Sequence, residues 1–153
     1  LENVVDLSKE FIYSPVMGEE VEKHIGAHYY TIGQRKGLHI GGRPNPSFVI
    51  GIDTVTNTVY SGQKDEHPGL NKWALKIETA EMHWINPLFE MNIGDVKAFD
   101  IRIRYRQPLQ KAILHQFEDG MYVAFEEPQS AITEGQFVAW HQNDEILGSG
   151  VIA

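Results

Sequence analysis

Three arginines make the strongest chemical pattern in this sequence. They alternate through Ile101-Arg102-Ile103-Arg104-Tyr105-Arg106. On a strand, successive side chains face opposite ways, so Ile101, Ile103 and Tyr105 turn toward a core while Arg102, Arg104 and Arg106 form a basic stripe on the other face. Like charges so placed repel. They either pair with acidic neighbours, for little gain at a surface, or meet a phosphate-bearing partner, whose oxygens the planar guanidinium fork matches two at a time. A second basic pair, Arg35-Lys36, runs into the loop Gly37-Leu38-His39-Ile40-Gly41-Gly42. A loop with so little bulk is either a tight connection or a cradle in which backbone approaches a phosphate.

Other chemistries find little support. There is no cysteine, which excludes a disulfide, a thiolate–zinc site and a cysteine nucleophile. His24 and His28 have i, i+4 spacing, but Gly26 lies between them and no helix is expected there, so no metal site is assigned. Glu126-Glu127 and Asp144-Glu145 read as solvated turn charges. No G-x-S-x-G nucleophile pattern occurs, and no catalytic residue is assigned. Tyr29 and Tyr30 can stack on a base, with at least one of them expected in the core, as are Trp73, Trp84 and Trp140.

The elements that must position these residues are mostly strands. Thr31-x-x-Gln34 is a capping-box pattern and predicts a short helix. Gly37 stops it, and Arg35 and Lys36 sit in its last turn, where cations suit the helix dipole. Residues 1–22 show no clean period, and one or two short strands with a turn are expected. Residues 47–54 predict a strand with Phe48, Ile50 and Ile52 on one face, returning through Thr56-Asn57 to Thr58-Val59-Tyr60 as a hairpin. The polar segment 61–72 sets an expected boundary between a central domain, 1–70, and a C-terminal barrel, 71–153.

Beyond it, strands are predicted over 73–84, with Trp73, Leu75 and Ile77 on one side, and over 96–107. Hairpins are predicted around Glu118-Asp119-Gly120 and Gln142-Asn143-Asp144. Short strands at regular spacing imply a sandwich or barrel. The expected fold is mostly β: a small central β-rich domain with one short helix, then an antiparallel β-barrel. No internal repeat is apparent.

The 153 residues suit one ordinary domain or two small ones. No apolar run approaches the roughly 18 residues that span a membrane. The N-terminal LENVVDLSKEF lacks the apolar stretch of a signal peptide, so a cytoplasmic setting without a membrane partner is expected. The net charge of −8 argues against strong non-specific nucleic-acid binding over the whole surface and directs attention to a local basic patch.

YTIGQRKGL (30–38) followed by Ile40-Gly41-Gly42, with His24 and Gly26 upstream, resembles the signature of the tRNA-specific 2-thiouridylase family. RIRYRQ (102–107), AITEGQ (131–136) after Pro128, and LGSG (147–150) extend the resemblance to the C-terminus. His39, Glu134 and Ser149 depart from the family pattern, which usually has Gly, Pro and Gly there. The resemblance implies a central domain and a β-barrel similar to domain 2 of elongation factor Tu. It implies a parent enzyme that adenylates the wobble uridine of tRNA with ATP and Mg and then inserts sulfur from a cysteine persulfide fed by sulfur-relay proteins.

The two sulfur-carrying cysteines and the S-G-G-x-D-S ATP-binding motif of that family are absent from this sequence. The resemblance therefore implies that catalysis belongs to an N-terminal catalytic domain of the same parent chain and that this chain alone is inactive. It assigns tRNA contacts to Arg104, Tyr105 and Gln136, with Arg102, Arg106, Arg35 and Lys36 as further candidates. A contact by Tyr105 conflicts with its inward place in the alternation, unless the strand ends or bulges there. A protein-interaction β-barrel of a translation-factor-like protein is the alternative. It fits the fold and the acidic charge but leaves YTIGQRKGL without a role.

Overall fold

A computed structural model describes residues 2–9, 12–14, 17–36, 38, 40, 46–63, 70–104, 106–130 and 132–153. The chain forms two units, residues 10–71 and residues 72–153 together with 1–9. Among the described residues no helix is long and apolar enough to cross a membrane.

In the first unit, β1 (Ser47–Asp53) and β2 (Thr58–Gln63) pair as an antiparallel hairpin. The Asp53 carboxylate accepts from the N–H groups of Val55 and Thr56, and Asn57 takes a left-handed φ of 56°. This is the chemistry that lets Asp and Asn close a turn. The bonds from Thr56 and then Val55 hold the Asp53 carboxyl below its ordinary value. A bulge between Val49 and Gly51 breaks the alternation expected for β1. Val49 and Ile50 are both buried, and Phe48 and Ile52 are half-buried. Of the polar segment 61–72, Ser61–Gln63 belong to β2, residues 64–69 lie outside the described residues, and Asn71 opens β3.

The second unit contains β3 (Asn71–Trp84), β4 (Val96–Arg102), β5 (Gln110–Phe117), β6 (Gly120–Ser130), β7 (Phe137–Gln142) and β8 (Glu145–Ile152). They close into a six-stranded antiparallel barrel in the order β3-β6-β5-β4-β7-β8. Closure removes the sheet edges that would otherwise template pairing with other chains. The inward positions fill the barrel with Leu75, Ile77, Ile101, Leu114, Val123 and Trp140, among others. LGSG has its physical reason here. A Cβ on Gly148 would lie 2.6 Å from the Trp140 indole, and one on Gly150 would lie 2.6 Å from Ile77 Cγ2. β8 can pass these side chains only as glycine.

Four expectations are corrected. Residues 2–8 are a helix, α1 (Glu2–Ser8), not strands. Val4 packs on Ala74 and Tyr122 of the barrel. Two turns are too short to display a 3.6-residue period, and such a helix is held by packing rather than by propensity. Residues 31–34 form a turn rather than a helix start, as described below. Trp73 is 47% exposed although it shares its side of β3 with the buried Leu75 and Ile77, because it lies near the start of the strand. The strand expected over 96–107 ends at Arg102.

Candidate nucleic-acid interface

The end of β4 organises the candidate interface. Ile101 and Ile103 point into the barrel as expected. The ladder from β4 to β7 stops at the pair Arg102↔Ala139. Beyond it, Gln107 N–H donates to Arg104 O at 2.9 Å, so Arg104 and Arg106 lie on a turn and not on a continuous stripe with Arg102. Tyr105 lies outside the described residues.

Side-chain amides hold this turn. Gln107 Oε1 accepts from Ile103 N–H at 3.2 Å, and its Nε2 donates to Gln129 Oε1 at 2.7 Å. Gln129 is 5% exposed, and its Nε2 donates to Glu127 O at 3.0 Å and to Gln110 Oε1 at 3.4 Å. Arg104 Nη2 donates to Ser130 O at 2.6 Å. The turn is thus fastened to the end of β6. Arg106 is exposed, and Arg102 and Arg104 are half-buried. Neither Arg102 nor Arg106 has a carboxylate partner among the described residues. His141 stands opposite Asp100 across the β4–β7 ladder. Burial, then the Arg102 guanidinium, pushes its pKa below the ordinary imidazole value, which disfavours a positive charge on this ring.

Gln136 belongs to the same end of the barrel. β4 and β7 are antiparallel, so the chain leaving Arg102 runs toward the start of β7, which Gln136 immediately precedes. Gln136 sits in a turn with a defined bonding scheme. Its N–H donates to Thr133 O, its Oε1 accepts from Thr133 N–H at 3.0 Å, and Gly135 N–H and Gln136 O pair with the backbone of Ile152. Gly135 has φ +89°, the left-handed value that the third position of such a turn requires.

Thr31-Ile32-Gly33-Gln34 in the first unit repeats this scheme bond for bond. Gln34 Oε1 accepts from Thr31 N–H, Gln34 N–H donates to Thr31 O, and Gly33 N–H and Gln34 O pair with Val49. Gly33 has φ +87°. The back-reach expected of the capping box is present. Pairing with Val49 uses the peptide groups that would have continued a helix. The signal that identifies the device is the shared Thr-x-Gly-Gln, with glycine where a helix interior disfavours it. The two copies differ in one respect. Gln34 Nε2 donates to Lys36 O at 2.9 Å, whereas Gln136 Nε2 has no partner among the described residues.

His24 and Gly26 prove to be structural. Gly26 N–H donates to His24 Nδ1 at 3.0 Å, so Nε2 carries the ring proton and donates to Asn57 O at 3.1 Å. Ala27 N–H donates to Asn57 Oδ1 at 2.8 Å. Asn57, at the hairpin turn, thereby ties down residues 24–30. Arg35 and Lys36 follow the 31–34 turn and are both exposed. Of the glycine loop, Gly37, His39, Gly41 and Gly42 lie outside the described residues. Among the described residues no group of three His, Asp or Glu side chains could hold a metal ion.

Substitutions at two of these bonds have distinct expected outcomes. Gln129→Leu leaves the Gln107 amide without its acceptor. The barrel is expected to lose about 1–3 kcal/mol, with faster hydrogen–deuterium exchange confined to residues 103–107. His24→Ala removes an acceptor and a donor at once. A similar loss is expected, with faster exchange at residues 24–30 and an unchanged pattern in the barrel.

Comparison with known proteins agrees with this architecture. Residues 75–152 match the model described as an aminomethyltransferase β-barrel domain, and residues 1–63 match that of a tRNA methyl transferase PRC-barrel domain. The chain is 56% identical over 146 residues to tRNA-specific 2-thiouridylase MnmA of Flavobacterium johnsoniae, covering 95% of this chain and 37% of that relative. It is 52% identical over 153 residues to the protein of the same name from Christiangramia forsetii, covering 100% of this chain and 39% of the relative. The Karelsulcia muelleri protein is 44% identical over 146 residues, covering 95% of this chain and 38% of the relative. The chain thus spans less than two-fifths of the length of these three relatives. On the match of both domains and on these identities, the chain belongs to the tRNA-specific 2-thiouridylase family.

Proposed function

We propose that this chain is the tRNA-docking portion of a tRNA-specific 2-thiouridylase acting in the cytoplasm. The observation that carries this reading is the fastened arginine turn at one end of the barrel. Guanidinium groups on a pre-set turn contact phosphates with little ordering cost, which fixes register on the RNA without reading sequence. Arg106 and Arg104 supply these contacts, with Arg102 behind them. Gln136 offers its spare Nε2 donor at the same end, and Tyr105 belongs to the same segment. Arg35 and Lys36 form a separate basic pair in the other unit.

The descriptions of the matched domains name aminomethyl and methyl transfer, while the relatives are named for thiolation. The relatives carry the reading, because they match at up to 56% identity. The chemistry of the parent is assigned elsewhere. On this reading, ATP binding with Mg, and the cysteines that accept sulfur from relay proteins, belong to a part of the parent that this chain does not span. No catalytic residue is assigned to this chain.

The test is titration of the chain with a lysine-type tRNA at several salt concentrations. Binding that weakens steeply with salt is expected, because each phosphate contact releases counterions. Absence of binding at low salt would overturn the reading and leave the barrel as a protein-interaction domain.

A further inference from the structure

We propose that the His28–Tyr29 ring pair is a stacking platform for an unpaired nucleobase, a contact that rests on the tRNA-docking reading above. Tyr29 is 63% exposed although it belongs to a rigidly tied segment. The other tyrosines described in this unit are engaged. Tyr13 stacks on Tyr60 at 5.4 Å between centroids, and Tyr30 meets His24 edge-on at 5.5 Å. Among the described residues the only ring beside Tyr29 is that of His28, with centroids 4.2 Å apart and planes tilted by 37°, and His28 is itself exposed.

The frame beneath the pair fixes its position. Ala27 is buried and bonded to Asn57 Oδ1. Tyr29 N–H donates to Gly26 O and Tyr30 N–H to Ala27 O, both at 3.1 Å. Gly26, at φ +148°, allows the rings to fold back over it, since a Cβ there would lie 3.0 Å from His28 Cε1 and 3.2 Å from Tyr29 Cδ2. Two aromatic side chains are therefore held in place without being buried. A face prearranged in this way gives up little freedom when a flat ligand settles on it.

Charge decides what kind of contact this is. Lys23, Arg35 and Lys36 are exposed in this unit, but so are Glu19, Glu20 and Glu22. The neighbourhood has no net positive field in sequence, so phosphate attraction cannot carry binding here. Stacking can, because every base has a π-face, and RNA loops present bases splayed out of the helix. A protein partner is the rival occupant and becomes an outcome of the test.

The experiment titrates the full chain and its Tyr29→Ala, Tyr29→Leu, Tyr29→Phe, His28→Ala and Arg106→Ala variants with an unmodified tRNA transcript at two salt concentrations. Tyr29→Ala and Tyr29→Leu are expected to weaken binding about five- to a hundredfold, with the salt slope unchanged. Tyr29→Phe keeps the ring and is expected to bind like the parent. His28→Ala is expected to weaken binding less. Arg106→Ala, in contrast, flattens the slope.

If Tyr29→Ala binds like the parent while Arg106→Ala does not, the platform is overturned, a protein partner becomes its occupant, and the docking reading stands. A Tyr29→Phe chain as weak as Tyr29→Ala would also overturn it, since the hydroxyl and not the ring would then make the contact. If the unsubstituted chain binds no tRNA, both readings fall.

Discussion

Trp140→Ala is expected to destabilise the barrel by about 3–5 kcal/mol, the range for emptying an aromatic site in a core. Its indole is 0% exposed and packs against Trp84 at 5.2 Å between centroids, in an edge-on arrangement. For a barrel of this size the melting temperature should fall by on the order of 15 °C or more. A double-mutant cycle gives the sharper test. In the parent chain, Gly148→Ala drives a methyl group into the indole, at 2.6 Å from Cε2, Cζ2 and Nε1, and should cost about 2–3 kcal/mol by overpacking.

Cζ2 belongs to the benzo ring that phenylalanine lacks, and the space that ring vacates lets the single phenyl ring shift away from β8. In a Trp140→Phe background, Gly148→Ala should therefore be milder. Trp140 Nε1 is buried without a partner among the described residues, so Trp140→Phe also removes an unpaired donor and partly offsets its own reduced packing. Thermal melts of the four chains should show a coupling of about 1–3 kcal/mol. Additive losses would mean that Gly148 matters for backbone conformation and not for the indole.

The second large effect concerns RNA. Arg104→Ala/Arg106→Ala is expected to reduce tRNA affinity by tenfold or more at low salt, since charge-assisted hydrogen bonds are worth about 1.5–3 kcal/mol each. The slope of log affinity against log salt should become shallower by about two, one for each guanidinium removed from a phosphate. Arg106 is exposed, so its single substitution should leave the melting temperature unchanged. Arg104 also donates to Ser130 O, and its substitution should lower stability slightly. Arg104→Lys separates the two roles, because it keeps the charge and loses the planar fork. Unchanged affinity with unchanged slope would show that these arginines do no more than balance an acidic surface.

The barrel strands were legible in the sequence because turn chemistry and alternation are local. Glu118-Asp119 falls between β5 and β6, with Gly120 opening β6, and Asn143-Asp144 falls between β7 and β8. Alternation at 101–103 correctly named the inward residues. It could not show where the ladder ends, because that depends on how far β7 runs beside β4 and on Gln107 and Gln129 capturing the turn. Helix α1 escaped notice for a related reason. Val4 is apolar toward Tyr122, a residue far along the chain, and seven residues carry too little pattern of their own. Thr31-x-x-Gln34 misled by being half right. The glutamine does reach back to the threonine N–H, but Gly33 and Val49 turn the segment into a bracket for a strand. The types of the candidate RNA-facing residues were legible. Their arrangement on a turn, with the amide bonds that hold it, was not.

The route of the chain through its two units imposes an order on biosynthesis. α1 belongs with the barrel, yet residues 10–71 intervene before β3 is complete. As the chain leaves the ribosome, the β1–β2 unit is finished as soon as residue 71 emerges and can settle at once. α1 is made earlier and must wait, with Val4 exposed, until Tyr122 exists. The barrel waits longer, because β3 is closed by β8 through pairs such as Ile77↔Ile152. During that interval β3 is an open edge carrying Leu75 and Ile77, the condition in which nascent β proteins aggregate. A pause in translation between residues 84 and 145 would thus harm solubility more than any pause within the first 71 residues.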